Sequence, residues 1–239
     1  MITFTPLASS SLGNAYLLTD GETPLLLDAG ITLMDIRKRL SFRIPKLAGV
    51  LITHEHMDHA KGVKHLMGTG RDAYMTQGTA DALGMDKCKH RHRLNIIKAL
   101  VQFNIGPWSV MPFDTAHDAA EPVGFLVGHE SGDKILYATD TQYLKYRFNN
   151  LTHIAIECNH SRALLMDGAC AGSFNSELAK RVRRNHMSLE SVQKMLKSND
   201  LSKLEEVHLL HASDNNSDVE HFKKEIQKQT GRPVYIADV

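Results

Sequence analysis

The sequence predicts a single α/β domain, residues 1–239, built from two similar halves, with two central mixed sheets flanked on each outer face by helices. Strand-like apolar runs occur in both halves, and amphipathic stretches separate them. A chain of 239 residues with 42% hydrophobic content can bury one substantial core, so length alone gives no reason to divide it.

The elements follow in order. Thr3 to Pro6 and Ala15 to Thr19 read as strands joined by a small-residue turn, Ser9 to Asn14. Leu25 to Leu27 is a buried strand ending at Asp28-Ala29-Gly30, and Thr32 opens a helix with Asp35 three places on, as in a capping box. Ala48 to Thr53 is a continuous apolar strand of the kind covered on both faces. Helical patterns cover Lys61 to Met67 and Thr79 to Leu83, and a basic loop runs from Lys87 to Arg93. Strands are expected at Val101 to Ile105, Trp108 to Phe113, Val123 to His129 and Lys134 to Thr139, with Ser131-Gly132-Asp133 as a turn. Strand Ile154 to Ile156 precedes a helix from Phe174 to Arg184 and a second one capped by Ser188. Val207 to Leu210 is a strand. Ser217 and Glu220 form a capping box for the last helix, which stops at Gly231 before strand Val234 to Ile236.

Charge is nearly balanced, 28 basic against 27 acidic residues, so attraction to a polyanion must come from local patches. No segment approaches the roughly 20 apolar residues of a membrane span, and no leader-like pattern opens the chain. Cys88, Cys158 and Cys170 lack CxxC spacing and read as reduced thiols of a cytoplasmic protein. Histidine is the outlier, with 14 copies. Imidazole is the commonest metal ligand, and a surplus of it asks for a site.

The strongest local signal is His54-Glu55-His56-Met57-Asp58-His59, directly after the buried strand. Residues two apart on an extended strand end point the same way, so His54 and His56 can grip one ion together. Asp58 and His59 fall on the turn into the next helix and address a neighbouring position. A histidine-rich polar loop without a metal would have little reason to carry four ligand-type residues at this spacing.

The sequence HEHMDH resembles the HxHxDH signature of the metallo-β-lactamase superfamily, and the resemblance extends over essentially the whole chain. It implies the αββα sandwich of that family. It also implies that His54, His56 and His117 bind one metal, that Asp58, His59 and His211 bind a second, and that Asp140 bridges them. Asp28 matches a carboxylate that supports the HxHxDH loop. His208 competes with His211 but lies inside an apolar strand, which favours His211 at the strand end. Histidine and carboxylate ligands suit zinc or manganese, with iron also compatible. Two such ions about 3.5 Å apart would activate a bridging hydroxide. A Ser-His-Asp reading has no support, because the plausible histidines are already committed.

Within the superfamily, three segments resemble the WalJ/YycJ-like group and RNase Z-like enzymes: Leu7 to Asn14, Ile156-Glu157-Cys158-Asn159-His160, and Asn185-His186-Met187-Ser188. Leu210 to Asn216 resembles the group's last-ligand segment. Ser9 and Asn185 depart from it, standing where the group usually has glycine. The resemblance implies a phosphodiesterase, specifically a nuclease on DNA or RNA, with Asp58, His186 and His160 as catalytic candidates. His186 and His160 would bond the phosphate or protonate the leaving group. The runs Lys87 to Arg93 and Lys180 to Arg184 could follow a nucleic-acid backbone or simply be solvated faces. Aromatic content is 6%, which does not suggest extensive base stacking. The alternatives are a cyclic-nucleotide phosphodiesterase of the anti-Pycsar type, a lactone or thioester hydrolase, and a binding module with a closed metal site. A homodimer is compatible with the sequence.

Overall fold

The computed structural model describes residues 1–40, 47–165, 176–211 and 218–237. Their packing divides them into two units, one of residues 1–114 and 119–133, the other of residues 115–118 and 134–237.

The first unit carries a six-stranded sheet in sequential order. Strands β1 (Thr3–Ser10), β2 (Gly13–Thr19) and β3 (Leu25–Leu27) are antiparallel neighbours. From β3 the sheet continues in parallel through β4 (Gly49–Leu51), β5 (Ala73–Met75) and β6 (Leu94–Ile96). The expected turn at Ser9 to Asn14 shrinks to Ser11-Leu12, because both strands extend toward it. Ser9 lies within β1 and needs no left-handed backbone. Strand β6 is not legible in the sequence: at three residues, Leu-Asn-Ile, with only Leu94 partly covered, it is too short to show a period. An antiparallel set follows, β7 (Phe103–Ile105), β8 (Trp108–Asp114) and β9 (Val123–His129).

Helices α1 (Leu33–Arg39), α2 (Met57–Ala60), α3 (Val63–Gly68) and α4 (Gln77–Ala82) complete this unit. The Thr32 hydroxyl accepts from Asp35 N and donates to the Asp35 carboxylate, so the predicted cap forms reciprocally. Thr76 caps α4 in the same way, so that helix begins ahead of the expected Thr79. Leu26, Val50, Ile52, Leu66 and Met75 belong to one buried cluster, which explains why β3, β4 and β5 are apolar throughout.

The second unit is a parallel sheet of β10 (Lys134–Ala138), β11 (His153–Glu157), β12 (Glu206–Leu210) and β13 (Val234–Ile236). Helices α5 (Ser176–Asn185), α6 (Leu189–Ser198) and α7 (Val219–Thr230) accompany it. Asn185 is helical, so the group's usual glycine is not required there. Helix α6 buries Leu189, Val192, Met195 and Leu196, a single stripe at helical spacing, and Ser188 caps it by accepting from Ser191 N at 3.3 Å. The predicted cap Ser217 lies outside the described residues, as do Phe174 and Cys170. Asp218 caps α7 by accepting from His221 N, and Gly231 ends it at φ +66°. Among the described residues, no helix is long and apolar enough to cross a membrane.

Candidate metal centre

In the first unit, the chain leaves β4 at Leu51 and passes over the buried carboxylate of Asp28. Asp28 Oδ1 accepts from Thr53 N and Thr53 Oγ1, each at 2.9 Å, and Oδ2 accepts from His59 Nδ1 at 2.8 Å. One carboxylate therefore ties both ends of the His54–His59 segment, the support expected of it. A carboxylate can only accept, so His59 Nδ1 carries the proton and Nε2 the lone pair. The Thr53 hydroxyl, having donated to Asp28, accepts from His54 Nδ1 at 3.0 Å, which leaves His54 Nε2 as the ligand atom in the same way.

His54 and His56, two residues apart, turn their rings to the same side. His54 Nε2 and His56 Nδ1 stand 3.1 Å apart, a separation at which two ring nitrogens address one proton or one cation. His59 Nε2 lies 3.4 Å from Asp58 Oδ2, and the His54 and His59 rings are 4.3 Å apart. Asn14 joins them, its Nδ2 donating to Ser10 O at 2.9 Å and standing 3.1 Å from His59 Nε2 and 3.4 Å from Asp58 Oδ2. In the sequence Asn14 is only the end of a small-residue turn, with no role of its own. Its burial, which nothing in composition foretells, is the missing signal.

In the second unit, Asp140 follows β10, Glu157 closes β11 and His211 follows β12, so three neighbouring parallel strands present polar residues at the same end. His211 Nδ1 donates to Asp140 Oδ1 at 2.6 Å, and His117 Nε2 lies 3.6 Å from Asp140 Oδ2. His117 Nδ1 donates to the Asn185 carbonyl at 3.2 Å, so its Nε2 also carries the lone pair. Burial pushes the His117 imidazole down further than the Asp140 and Glu157 charges raise it, which keeps it neutral and fit to ligate. His208, by contrast, faces Glu206 Oε1 at 2.9 Å and stacks on Tyr235. It is not drawn to Asp140.

Glu157 stands out in the sequence only as part of a family-like segment, yet it organises this cluster. Fully buried, it accepts from Thr141 N at 3.0 Å and Met187 N at 3.2 Å, and from His186 Nδ1 at 2.5 Å. Burial raises its pKa, but the His186 charge and the bonds from His186 and His211 outweigh it, so the carboxyl stays below its usual range. His186 moves the opposite way: burial lowers it, and the Glu157 charge and hydrogen bond raise it above the ordinary histidine value. Burial also opposes protonation of His211, but Asp140 and Glu157 lift it to about 10. His186 thus stands with Asp140, Glu157 and His211. His160 does not join them, and lies instead in a neighbouring cavity with Arg162.

These donor sets fit a divalent transition metal. Asp140, Glu157, His186 and His211 each offer a ligand atom, all within 4.8 Å of one another. The imidazole–carboxylate chemistry, with Nδ1 protons engaged by oxygen acceptors, is that of a borderline cation site.

Residues 23–211 match the model of the Beta-lactamase superfamily domain, and the chain belongs to that superfamily of metal-dependent hydrolases, with the metallo-β-lactamase fold. Among its relatives, it is 28% identical to the exodeoxyribonuclease YycJ of Bacillus anthracis, over 89% of this chain and 83% of that protein. It is 27% identical to the exodeoxyribonuclease WalJ of Streptococcus pneumoniae, over 88% and 81%. The crystal structure of the metallo-β-lactamase fold protein YhfI from Bacillus subtilis superposes with a TM-score of 0.72 at 17% identity, covering 100% of this chain and 97% of that one.

Proposed function

We propose that this chain is a two-metal phosphodiesterase acting on nucleic acid, a nuclease on DNA or RNA. The observation that carries the reading is the pair of buried Glu157 and half-buried His186 beside Asp140 and His211, in a chain similar to proteins named exodeoxyribonucleases. His54, His56 and His117 are read as ligands of one ion, Asp58, His59 and His211 as ligands of the other, and Asp140 as the bridge. Zinc, manganese or iron suits this set. Two divalent ions held by these residues would supply Lewis acidity toward phosphate oxygens and would activate water for attack.

The chain's own residues then have distinct tasks. Glu157 holds His186 at Nδ1 and favours its protonated form, so His186 Nε2 is the atom that gives a hydrogen bond or proton to the departing oxygen. Asp58 counts as both ligand and catalytic carboxylate, while His160 is read below as touching substrate rather than the leaving group. We read residues 1–239 as one functional domain, since the family match spans both units. Cys88 and Cys158 carry free thiols, in keeping with the cytoplasm.

The test is a screen of the purified chain on linear DNA, RNA, cyclic nucleotides and an aryl phosphodiester, with zinc and with manganese. Nucleic acid and the aryl diester should be cut, chelation should abolish the activity, and elemental analysis should find close to two ions per chain. Asp140→Ala should lose both ions and His208→Ala neither. Vigorous β-lactam or thioester turnover without phosphodiester cleavage would overturn the reading, and turnover of cyclic nucleotides alone would make the substrate a small molecule.

A further inference from the structure

The second unit has a cavity of about 320 Å³ that shares His186 with the cluster above and is otherwise lined by residues the mechanism leaves unused, among them His160, Arg162, Arg183 and Ser191. His160 is only 2% exposed, yet its imidazole makes no hydrogen bond among the described residues, and its Nδ1 is a buried polar atom without a partner. Leaving a buried donor or acceptor unpaired is costly, so an orphaned imidazole beside a cavity points to a group that completes it.

The rest of the lining indicates what that group is. Helix α6 begins here, with its cap Ser188 joined to Ser191 by hydroxyls 3.2 Å apart, and its N-terminus favours an anion. Arg162 Nη2 donates to Ser191 Oγ at 3.1 Å and its Nε lies 3.9 Å from Glu190 Oε2 in the helix's first turn, so the guanidinium is pinned beside the helix end. Arg183, near the end of α5, lines the same cavity and has no ion-pair partner among the described residues. Two guanidinium forks, a hydroxyl and an imidazole N–H form a donor-rich wall. It matches the several acceptor oxygens of a phosphoryl group better than the two of a carboxylate.

We propose that this cavity is a second phosphate subsite, in which Arg162, Arg183, Ser191 and His160 hold a phosphoryl group neighbouring the scissile linkage. The inference rests on the nuclease reading and deepens it: His186 faces both the cluster and the cavity, so the held phosphate fixes which linkage reaches the metals. That phosphate is either the monoester at a strand end or the next internal diester.

The experiment measures binding of short fluorescent oligonucleotides to the full-length protein in chelator, where no cleavage occurs. The oligonucleotides carry a 5′-phosphate, a 3′-phosphate, hydroxyl ends, or a neutral methylphosphonate at single internal positions. Wild-type protein should bind about tenfold or more weakly when the subsite phosphate is absent or neutral. Loss of affinity with a hydroxyl end identifies the terminal monoester, and loss with one methylphosphonate position identifies the internal diester. The R162A/R183A double variant should bind phosphate-bearing and phosphate-lacking oligonucleotides alike. No discrimination by wild type, no binding at all, or an equal weakening of every oligonucleotide in the variant would overturn the subsite. Retained discrimination without manganese-dependent cleavage would overturn the nuclease reading and leave the subsite standing.

Discussion

In the first unit, Asp28 follows β3 and the His54–His59 segment follows β4; in the second, Asp140, Glu157 and His211 stand at the ends of β10, β11 and β12. Both units therefore place their polar groups at the carboxyl ends of parallel strands, where strand backbone groups are spent and the following loops are free to vary. Both also bend the chain sharply there, with left-handed backbones at Asp28 (φ 56°), Asp140 (φ 45°) and His211 (φ 49°). Such conformations cost about 1–3 kcal/mol each and persist because buried hydrogen bonds over-determine them. The means differ. The first unit gathers its groups from one short segment, clamped by the Asp28 carboxylate and by the bond from Ala29 N to the His59 carbonyl at 2.7 Å, while the second gathers them from distant parts of the chain around Glu157 and Asp140.

The sharpest break of that comparison is Gly30→Ala. A Cβ on Gly30 would overlap the Asp58 carbonyl oxygen and crowd Asn14 N at 2.6 Å, so the α2 start must move although no ligand is removed. The same change shifts Asn14, whose carbonyl accepts from Gly30 N at 2.8 Å. We expect stability to fall by about 3 kcal/mol in urea denaturation, by overpacking, together with reduced metal content. Unchanged metal content would mean that the close backbone approach does not position the ligand segment.

In the second unit the equivalent probe is a side chain. Glu157→Gln keeps an oxygen for Thr141 N and Met187 N but removes the charge that holds His186 protonated. Turnover should drop about 10²-fold, the scale of a lost general acid, with metal content retained. An equal loss of metal would instead make Glu157 part of the ion-binding set.

This contrast also explains what is legible in the sequence. His54 to His59 announces itself because its ligands are contiguous and follow an apolar strand, so period-two geometry suffices. Helix caps at Thr32 and Ser188 are readable for the same local reason. Asp140, His117 and His211 are isolated residues, and only their order along a family pattern picks them out. Glu157 and Asn14 escape a sequence reading because their importance lies in being buried and multiply bonded, a property of the tertiary structure. The division of labour between His186 and His160 is likewise invisible, since both are loop histidines until Glu157 is seen to bond one of them.

The smallest expected effect concerns the basic runs, where the two units again differ. In the first unit, Lys87 to Arg93 forms tight turns, and Arg93 is engaged by Asp72 at 3.2 Å. In the second, Lys180, Arg181 and Arg184 on α5 line a broad cavity of about 560 Å³ that also reaches His117 and Gln142. Lys180 pairs with Glu177 at 2.8 Å, but both are exposed, and such a pair is worth little against a polyanion. Placement beside His117 gives this second run the better claim to a nucleic-acid backbone. Changing all three to glutamine should flatten the slope of log affinity against log salt for long duplex DNA by about two to three, close to 0.9 for each phosphate that is no longer neutralised. Hydrolysis of the aryl phosphodiester should change far less, because so small a substrate does not extend along α5. The same substitution at Lys87, Lys89 and Arg91 should leave the slope nearly as it is. If the first run flattened the slope and the second did not, the DNA path would follow the first unit, and the cavity beside His117 would have to serve something smaller than a polymer.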